Sequence, residues 1–493
     1  MLSTEEIRSF IENDLASSKK KYAMVGQRYY DNKCDILDYR LFYVDAEGNI
    51  REDKTKSNIR MSHAFFKLLA DQEAQYILSG KDGFVKSDNP ELQTELDAYF
   101  NDNENFRAEL YELLVGMVVK GWDYMYAYIG EDGKTSFECA DSLGVVEVRD
   151  KDTDDHCAYL IRWYVDRVDH NTKEIKRIEV WDAKQTYFYA QVDDGEIVPD
   201  DTQEINPKPH SLYRKKGEEA PTLSKDYGKI PFFRIDNGAK QISGLQPIKD
   251  QIDSYNLMNC GLSNNIQDTN EALYVVKGFQ GDNLDELMQN IKTKKHIGVD
   301  EEGDVEIRTI DIPVDARKVK MEIDEKNIFR FGMGVNTEAL KDTSATVSIA
   351  IKTAYANLDL KCEGVMPYLK RFMRQLLDVV LPEINQANKT DYQQSDVYFN
   401  FDREIITNAQ EMAQIKLLEA QEQQTRATTW LNMAEKFGPE ITMQQLCDVM
   451  DLDYDDIKSK LPKPDAEIVT TEQAQGLLDG VVTDGVVGGG VVE

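Results

Sequence analysis

The hydrophobic periodicity of this 493-residue chain changes twice, and this change constrains the fold more than any other feature. Around residues 62–78 and 89–120 the apolar side chains recur every three or four positions, which is typical of amphipathic helices. Between Tyr124 and Phe233 aromatic and β-branched residues alternate with polar ones, and Asp/Gly turns separate these runs. This pattern predicts a meandering antiparallel β region. Helical spacing returns at Ile248. We therefore expect an α+β fold that is mainly helical, with a mixed β region in its first half.

The second half predicts helices that are interrupted by one insert and one loop. In chain order we expect a rod-like helix around 248–266, a compact α/β insert over 271–313, a helix over 314–331, a loop of small polar residues from Gly332 to about Ser348, a long helix to Leu381 with a kink at Pro367, and helices over 408–461. The insert is expected to hold a short helix over 283–291 and strands near Ile297 and Val305–Ile310. An acidic loop is expected over 193–209. The Gly/Val-rich end, residues 462–493, predicts a disordered tail.

Acidic side chains greatly outnumber basic ones, with 90 Asp and Glu against 58 Lys and Arg and a formal net charge of −32. Such a surface repels phosphate and excludes a nonspecific nucleic-acid binder held by charge. Six widely spaced cysteines and five histidines predict a reduced chain with neither disulfides nor a zinc site. No apolar run approaches the roughly 20 residues that span a bilayer, and the polar start predicts no signal peptide. We expect a soluble protein of the cytoplasm without a membrane partner.

The sequence contains no local motif for catalysis, such as a P-loop, a GxSxG elbow or HExxH. The segment Gly332–Thr337 resembles part of a dinucleotide fingerprint, but it lacks the third glycine and follows a predicted helix, which favours a simple backbone bend. The acidic run Asp451–Asp456 lacks the glycine and the glutamate of a calcium loop. We predict no catalytic residue, no metal site and no cofactor, although a dispersed active site would leave no local motif.

One basic cluster stands out in this acidic chain, within the predicted α/β insert. Its lysines either complement the end of a helix or contact an acidic partner or DNA phosphates. The cluster consists of Lys292, Lys294, Lys295 and His296.

Three segments resemble the portal proteins of tailed bacteriophages, specifically those of siphoviruses that infect Gram-positive bacteria. Residues 58–80 are similar to an early family helix that ends in a Tyr-Leu-Leu-Gly-like turn. Residues 228–237 followed by residues 244–256 form the most specific match. Residues 397–403 fit the family's approach to its C-terminal part. The resemblance covers roughly residues 20–460.

The resemblance implies a non-catalytic subunit that forms a ring with copies of itself, twelve in the usual case, at one capsid vertex of the virion. Double-stranded DNA would pass through the channel of this ring during packaging and ejection. The implied partners are the terminase packaging motor, a head-completion or adaptor protein, and the scaffolding and major capsid proteins. The implied parts are a wing (1–240), stem helices (241–270 and 314–333), a clip (271–313), a tunnel loop (334–350), a long kinked helix that returns to the wing (351–403) and a crown (404–461).

The resemblance also assigns roles to two groups of residues. The basic cluster of the clip would contact the motor or an adaptor. Small polar side chains suit a loop past which DNA of any sequence moves, because strong Lys or Arg contacts would retain the duplex. The loop residues are Lys341, Asp342, Thr343, Ser344, Thr346, Val347 and Ser348.

Two other functions remain open at this point. One is a virion adaptor or scaffold-like protein without a channel, and the other is a nucleic-acid enzyme with a dispersed site. An axial channel would separate the first from a portal, and a metal-binding carboxylate cluster would support the second. The charge favours a conduit, since twelve copies at −32 each carry about −380 charges, a field that discourages duplex DNA from adhering.

Overall fold

The computed structural model describes residues 1–54, 56–150, 157–168, 173–215, 217–223, 226–269, 273–279, 299–308, 313–336, 347–403 and 409–450, with the single positions 287, 454 and 457. The chain forms two compact units, Met1–Ile406 and Thr407–Glu493. The first unit mixes helices and antiparallel strands, which confirms the predicted α+β class. The described part of the second unit consists of helices.

Long helices make up much of the first unit, and the described part of the second unit adds three helices of different lengths. The helices are α1 (Thr4–Ala16), α2 (Ser18–Tyr30), α3 (Phe65–Ile77), α4 (Pro90–Leu96), α5 (Glu104–Lys120), α6 (Lys249–Thr269), α7 (Val314–Gly332), α8 (Val347–Asn388), α9 (Ala409–Asn432), α10 (Ala434–Phe437) and α11 (Pro439–Met450).

The strands are concentrated between α5 and α6. They are β1 (Phe42–Val44), β2 (Ile50–Glu52), β3 (Val85–Lys86), β4 (Trp122–Ile129), β5 (Thr135–Ala140), β6 (Val145–Arg149), β7 (Cys157–Val168), β8 (Glu174–Trp181), β9 (Gln185–Val192), β10 (Ile197–Pro199), β11 (Lys208–Pro209), β12 (Leu212–Tyr213), β13 (Thr222–Leu223), β14 (Phe232–Asp236), β15 (Leu273–Phe279), β16 (Val299–Arg308) and β17 (Tyr398–Phe399).

Local sequence signals account for where several helices begin and end. The predicted capping box of α1 is present, because Ser3 N–H donates to Glu6 Oε2 at 2.8 Å and Glu6 N–H donates to Ser3 Oγ at 3.3 Å. Helix α5 begins after Asn103, whose side chain accepts a hydrogen bond from the Phe106 N–H. It ends at Gly121, where φ is +97°, a conformation that glycine adopts without steric cost.

The main core of the first unit surrounds α5. The last two turns of this helix are buried on every side, from Leu113 to Lys120, as expected for a helix enclosed by other elements. Helices α3 and α8 supply much of the surrounding apolar surface, including Leu69, Leu376 and Leu377. The continuous apolar pattern at 113–119 therefore marks the centre of the unit.

The predicted antiparallel meander is confirmed for β6 to β10, but the described strands of the β region form more than one sheet. Strands β6 to β10 form a sheet in the order β10-β9-β8-β7-β6, and β11 pairs with β9. Strand β14 returns across the chain to pair with β4, which gives a separate three-stranded sheet, β14-β4-β5. Helix α1 covers the larger sheet with Ile7 and Ile11. Local alternation cannot reveal this return, because it depends on contacts between residues about 110 positions apart.

Two other boundaries differ from the prediction. The expected acidic loop over 193–209 contains two short strands that pair with β9 at the edge of the sheet, where Pro199 and Pro209 are tolerated. Helix α8 continues past Leu381 to Asn388 and contains Pro382, and the buried Ile384 holds the added turn against the core. The tip of the α/β insert lies largely outside the described residues, including the predicted helix over 283–291.

The described part of the second unit is a group of three helices. Helix α10 ends at Gly438, where φ is +82°, and Pro439 starts α11 at once. This confirms the stop and restart expected at Phe437-Gly438-Pro439, since proline suits the first turn of a helix and glycine its C-terminal end. Trp430 packs edge-on against Phe437, with the ring centroids 5.8 Å apart.

Candidate functional site: a helical pair with a ribbon, and an anchored loop

Helices α6 and α7 pack against each other, and strands β15 and β16 lie between them in sequence. At 1.5 Å per residue, the two helices are about 31 and 28 Å long. The strands pair antiparallel from Leu273↔Arg308 to Phe279↔Val299, with a register shift after Lys277. The described residues 299–308, which lie between and within the strands predicted near Ile297 and over Val305–Ile310, form one strand, and Ile297, Thr309 and Ile310 lie outside the described residues. The resemblance places the stem at this helix pair and the clip at the region that contains the two-stranded ribbon.

Polar contacts fix the register of α6 against α7. Asp324 of α7 is buried and accepts a hydrogen bond from Ser254 Oγ of α6 at 2.8 Å. Lys320 forms an ion pair with Asp324 and donates to Ser254 Oγ at 2.9 Å. Further along the pair, the Arg317 guanidinium lies so close to Gly261 that a Cβ at this position would overlap it. The missing side chain therefore lets an arginine of α7 cross over α6.

An extended segment, residues 57–63, runs along another side of α6, and we call it the strap. One stripe of side chains on α6 bonds alternate residues of the strap. Asn256 Oδ1 accepts from His63 N–H at 3.2 Å, Cys260 Sγ from Met61 N–H at 3.1 Å, Asn264 Oδ1 from Ile59 N–H at 2.6 Å and Asp268 Oδ1 from Ser57 N–H at 3.1 Å.

The strap fits α6 because the two repeats nearly match. Four residues of helix rise about 6 Å, and two residues of extended chain rise about 6.6 Å. Side chains at every fourth helical position therefore meet every second residue of an antiparallel strand. This explains why small polar side chains occupy a stripe that an ordinary amphipathic helix would fill with apolar ones, and it ties the chain between α2 and α3 to α6.

The polar loop predicted from Gly332 starts with a tightly packed turn. Met333 has a φ of +54°, and the N–H of Val335 donates to Gln72 Oε1 at 3.0 Å. The Gln72 amide in turn donates to the Val335 carbonyl at 2.9 Å. Val335 is buried, and a Cβ on Gly334 would overlap Leu69 Cδ2. The backbone bend expected at this glycine pair is confirmed, and α3 holds it in place.

A buried ion pair lies beside this turn. Glu73 of α3 is fully buried, and Lys361 of α8 reaches its Oε2 at 2.8 Å. Lys361 also donates to the Gly332 carbonyl at 3.0 Å, which is one of the acceptors left open at the end of α7. One lysine therefore connects three helices at the point where the chain leaves α7 for the loop.

Helix α8, which follows the loop, makes a second set of contacts with α3 and with Arg403. Arg403 Nε donates to Asp359 Oδ1 at 2.8 Å, and its Nη2 donates to Glu363 Oε1 at 2.6 Å. The Tyr76 hydroxyl donates to Asp359 at 3.4 Å, and its ring packs on Tyr355. Burial and then the charge of Asp359 raise the pKa of Tyr76 to about 12. Both chain segments that border the loop are thus bound to α3, directly or through α8.

The residues predicted to contact DNA or partners fall mostly outside the described part of the chain. This applies to the basic cluster Lys292, Lys294, Lys295 and His296 and to the loop residues Lys341, Asp342, Thr343, Ser344 and Thr346. Val347 and Ser348, which were predicted to lie in the loop, begin α8. The predicted loop, 334–350, therefore extended too far at its C-terminal end. Helix α8 starts at Val347, before the helical spacing of apolar residues becomes regular.

Sequence patterns did not reveal the residues that hold the start of the loop in place, which are Gln72, Glu73 and Lys361. Each lies within a helix and has no distinctive neighbours, although the glycine pair at 332 and 334 did indicate a close backbone approach. In the ranges that the structure describes, no group of three or more Asp, Glu, His or Cys side chains is placed to hold a metal ion. Within the same ranges, no helix is both long and apolar enough to cross a membrane. All six cysteines are unpaired.

Comparison with known proteins agrees with this architecture. The chain matches the family model described as phage portal protein, SPP1 Gp6-like, over residues 9–438. It is 26% identical to the portal protein of Bacillus phage SPP1 over 390 residues, which cover 79% of this chain and 75% of that protein. It is 22% identical to the portal protein of Clostridium phage phiCD119 over 429 residues, 83% of this chain and 88% of that protein. The chain therefore belongs to the SPP1 Gp6-like family of phage portal proteins.

Proposed function

We propose that the protein is a portal subunit that assembles into a ring-shaped channel at one vertex of a phage capsid. Double-stranded DNA would be packaged, retained and ejected through this channel, and the packaging motor and head-completion proteins would dock on it. The observation that carries the proposal is the family match over residues 9–438. The role is structural, and no chemical step by the chain is needed.

In this proposal each part of the fold has a place in the ring. The helices and sheets of residues 1–240 form the wing, and helices α6 and α7 form the stem. The β15–β16 ribbon and its tip form the clip, with the basic cluster Lys292–His296 against the motor or an adaptor protein. Residues 336–347 form the tunnel loop, and the second unit forms the crown.

The contacts around the loop support this assignment physically. A loop that meets moving DNA must transmit force to the rest of the subunit without unfolding its own ends. Gln72 and the pair Glu73–Lys361 tie the start of the loop to α3 and α8, and these contacts are buried or partly buried. Buried contacts of this kind resist local opening better than exposed ones, because opening them uncovers polar groups without partners.

The mass of the purified protein in solution tests this proposal. One copy has a mass of 56.4 kDa, so a ring of twelve has a mass of about 680 kDa. Mass photometry over a range of salt concentrations should show a species near that mass, stronger at high salt because salt screens repulsion between acidic copies. A single 56 kDa species at every salt and protein concentration would contradict the proposal.

A further inference from the structure

Strands β1 and β2 form a hairpin with one uncovered apolar face. Residues that lie directly opposite each other share a face, and so do alternate residues of one strand. The register Val44↔Ile50 and Phe42↔Glu52 therefore places Glu52 at the edge of a face that is otherwise formed by Phe42, Val44 and Ile50. Their exposed fractions are 63%, 67% and 75%.

This exposure is unusual for an ordered hairpin. Two strands alone are marginally stable in water and need a third strand or a packed face to persist. Within the described residues the hairpin pairs with no third strand. Its turn is well formed, because Asp45 accepts hydrogen bonds from the N–H groups of Glu47 and Asn49 and pairs with Arg51 at 2.6 Å. An ordered turn that presents an exposed and mostly apolar face is typical of a surface that another molecule covers.

The strap determines where this hairpin emerges. Asn58 Nδ2 donates to the Tyr39 carbonyl at 3.2 Å, and Arg60 Nη1 donates to the Leu37 carbonyl at 2.8 Å. The base of the hairpin thus lies beside residues 58–60 of the strap. This part of the strap is bound to α6 between Cys260 and Asn264. The base of the hairpin therefore lies at this level of α6.

Helix α7 offers a complementary apolar patch at the same level. Its inner side faces α6 with Arg317 and Asp324, whereas Val319 and Ile323, one turn apart, are 52% and 48% exposed. Arg317 lies against Gly261, which is within the Cys260–Asn264 part of α6 that lies beside the base of the hairpin. Val319, two residues after Arg317, is therefore close to the same position along α6. Rotation about a ring axis preserves this level, so the patch of a neighbouring copy comes to the height of the hairpin.

We propose that the apolar face of the hairpin packs against Val319 and Ile323 of a neighbouring copy of this chain. The proposal rests on the ring proposed above and names one of its interfaces. A ring needs two different complementary patches on each subunit, and the hairpin and the outer side of α7 meet this requirement. Glu47 of the hairpin turn and Lys318 of the helix are both exposed and opposite in charge, which reduces repulsion between acidic copies.

Photo-crosslinking from the hairpin tests the contact directly. The full chain, with p-benzoylphenylalanine in place of Val44, is prepared in unlabelled and ¹⁵N-labelled forms, mixed before assembly and irradiated. We expect mixed-isotope crosslinks from the hairpin peptide to residues 314–332. Rings that give crosslinks only within one copy, to a different region, or none at all would overturn this inference and leave the ring itself intact. Absence of rings would instead refute the proposed function.

A pair of variants provides the assembly readout. Phe42→Ser with Val44→Ser should lower the ring fraction at least tenfold at a fixed protein concentration, with an unchanged circular dichroism spectrum. The matched control, Val198→Ser with Leu223→Ser, removes apolar side chains that are also exposed and should change the ring fraction less than twofold. Equal assembly of the two variants would show that another phage protein, or solvent, covers the hairpin.

Discussion

Replacing Lys361 with methionine should destabilise the first unit strongly, because it leaves the fully buried Glu73 without its cation. Removing one partner of a buried ion pair costs about 3–5 kcal/mol. The lysine side chain is 20% exposed, so water partly screens the pair and we expect the lower end, about 3 kcal/mol. The substitution also removes the hydrogen bond to the Gly332 carbonyl, which adds about 1 kcal/mol.

Urea unfolding followed by circular dichroism measures this loss, and a double-mutant cycle assigns it. Glu73→Gln combined with Lys361→Met removes both charges and keeps the volume, so the double variant should be more stable than Lys361→Met alone. Lys229→Met is the matched control. Its partner Asp378 lies at 3.4 Å and both side chains are well exposed, so the loss should stay below about 1 kcal/mol.

Two results would refute this reasoning. One is a loss below about 1 kcal/mol for Lys361→Met, comparable to that of Lys229→Met. The other is a double variant whose loss equals the sum of the two single losses, since the charges would then be energetically independent. In either case the ion pair would not anchor the loop.

Four further predictions concern other parts of the molecule. Asn256→Ala should cost about 1–3 kcal/mol in urea unfolding, because a strap N–H loses its buried acceptor; a neutral change would argue against the strap. Burial lowers the pKa of His210 to about 4. The contribution of this histidine to the free energy of unfolding is therefore fully present above pH 6.5, and it falls by about 2 kcal/mol by pH 5. His210→Phe should unfold with a weaker acid dependence, and an identical pH profile would contradict this. Lys294→Glu with Lys295→Glu should weaken motor docking in a pull-down assay and spare ring assembly, and normal packaging would refute the clip contact. Shortening 341–347 should reduce DNA retention, measured as nuclease-protected genome, while rings still form; normal retention would exclude this loop as the constriction.

The sequence predicted the elements whose order depends on local spacing. The bounds of helices α3 and α7 lie within three residues of those expected. Apolar residues at three- and four-residue steps form one face, and packing of this face on a single neighbouring surface is enough to stabilise the helix. The capping box at Ser3 and the glycine–proline break at 438–439 are equally local and were also confirmed. Signals of this kind lie within a few residues of the structure that they determine.

Elements that depend on distant partners could not be predicted in the same way. Strand β14 pairs with β4 across more than 100 residues, and β10 and β11 persist because an edge of β9 is available. The β1–β2 hairpin was missed because each of its strands has only three residues. The last turns of α8, which contain Pro382, are stabilised by burial of Ile384 and not by helix propensity.

The functional residues show the same division. The glycine pair 332 and 334 indicated a bend, since glycine permits a close backbone approach. The side chains that support this bend are Gln72 and Glu73 of α3 and Lys361 of α8. Their contacts, Gln72 with Val335 and Glu73 with Lys361, join residues that are some 260–290 positions apart in the sequence. The α6 stripe has a readable signal in retrospect: Asn256, Cys260, Asn264 and Asp268 recur at four-residue steps, a polar periodicity that matches an extended partner.

A single-particle reconstruction of the purified assembly tests the central claim most directly. We predict a closed ring with an axial channel, the α6–α7 pairs standing around the axis and residues 336–347 at the narrowest point. An assembly without an axial channel, or a ring in which this loop faces outward, would contradict the account of the chain as a DNA conduit.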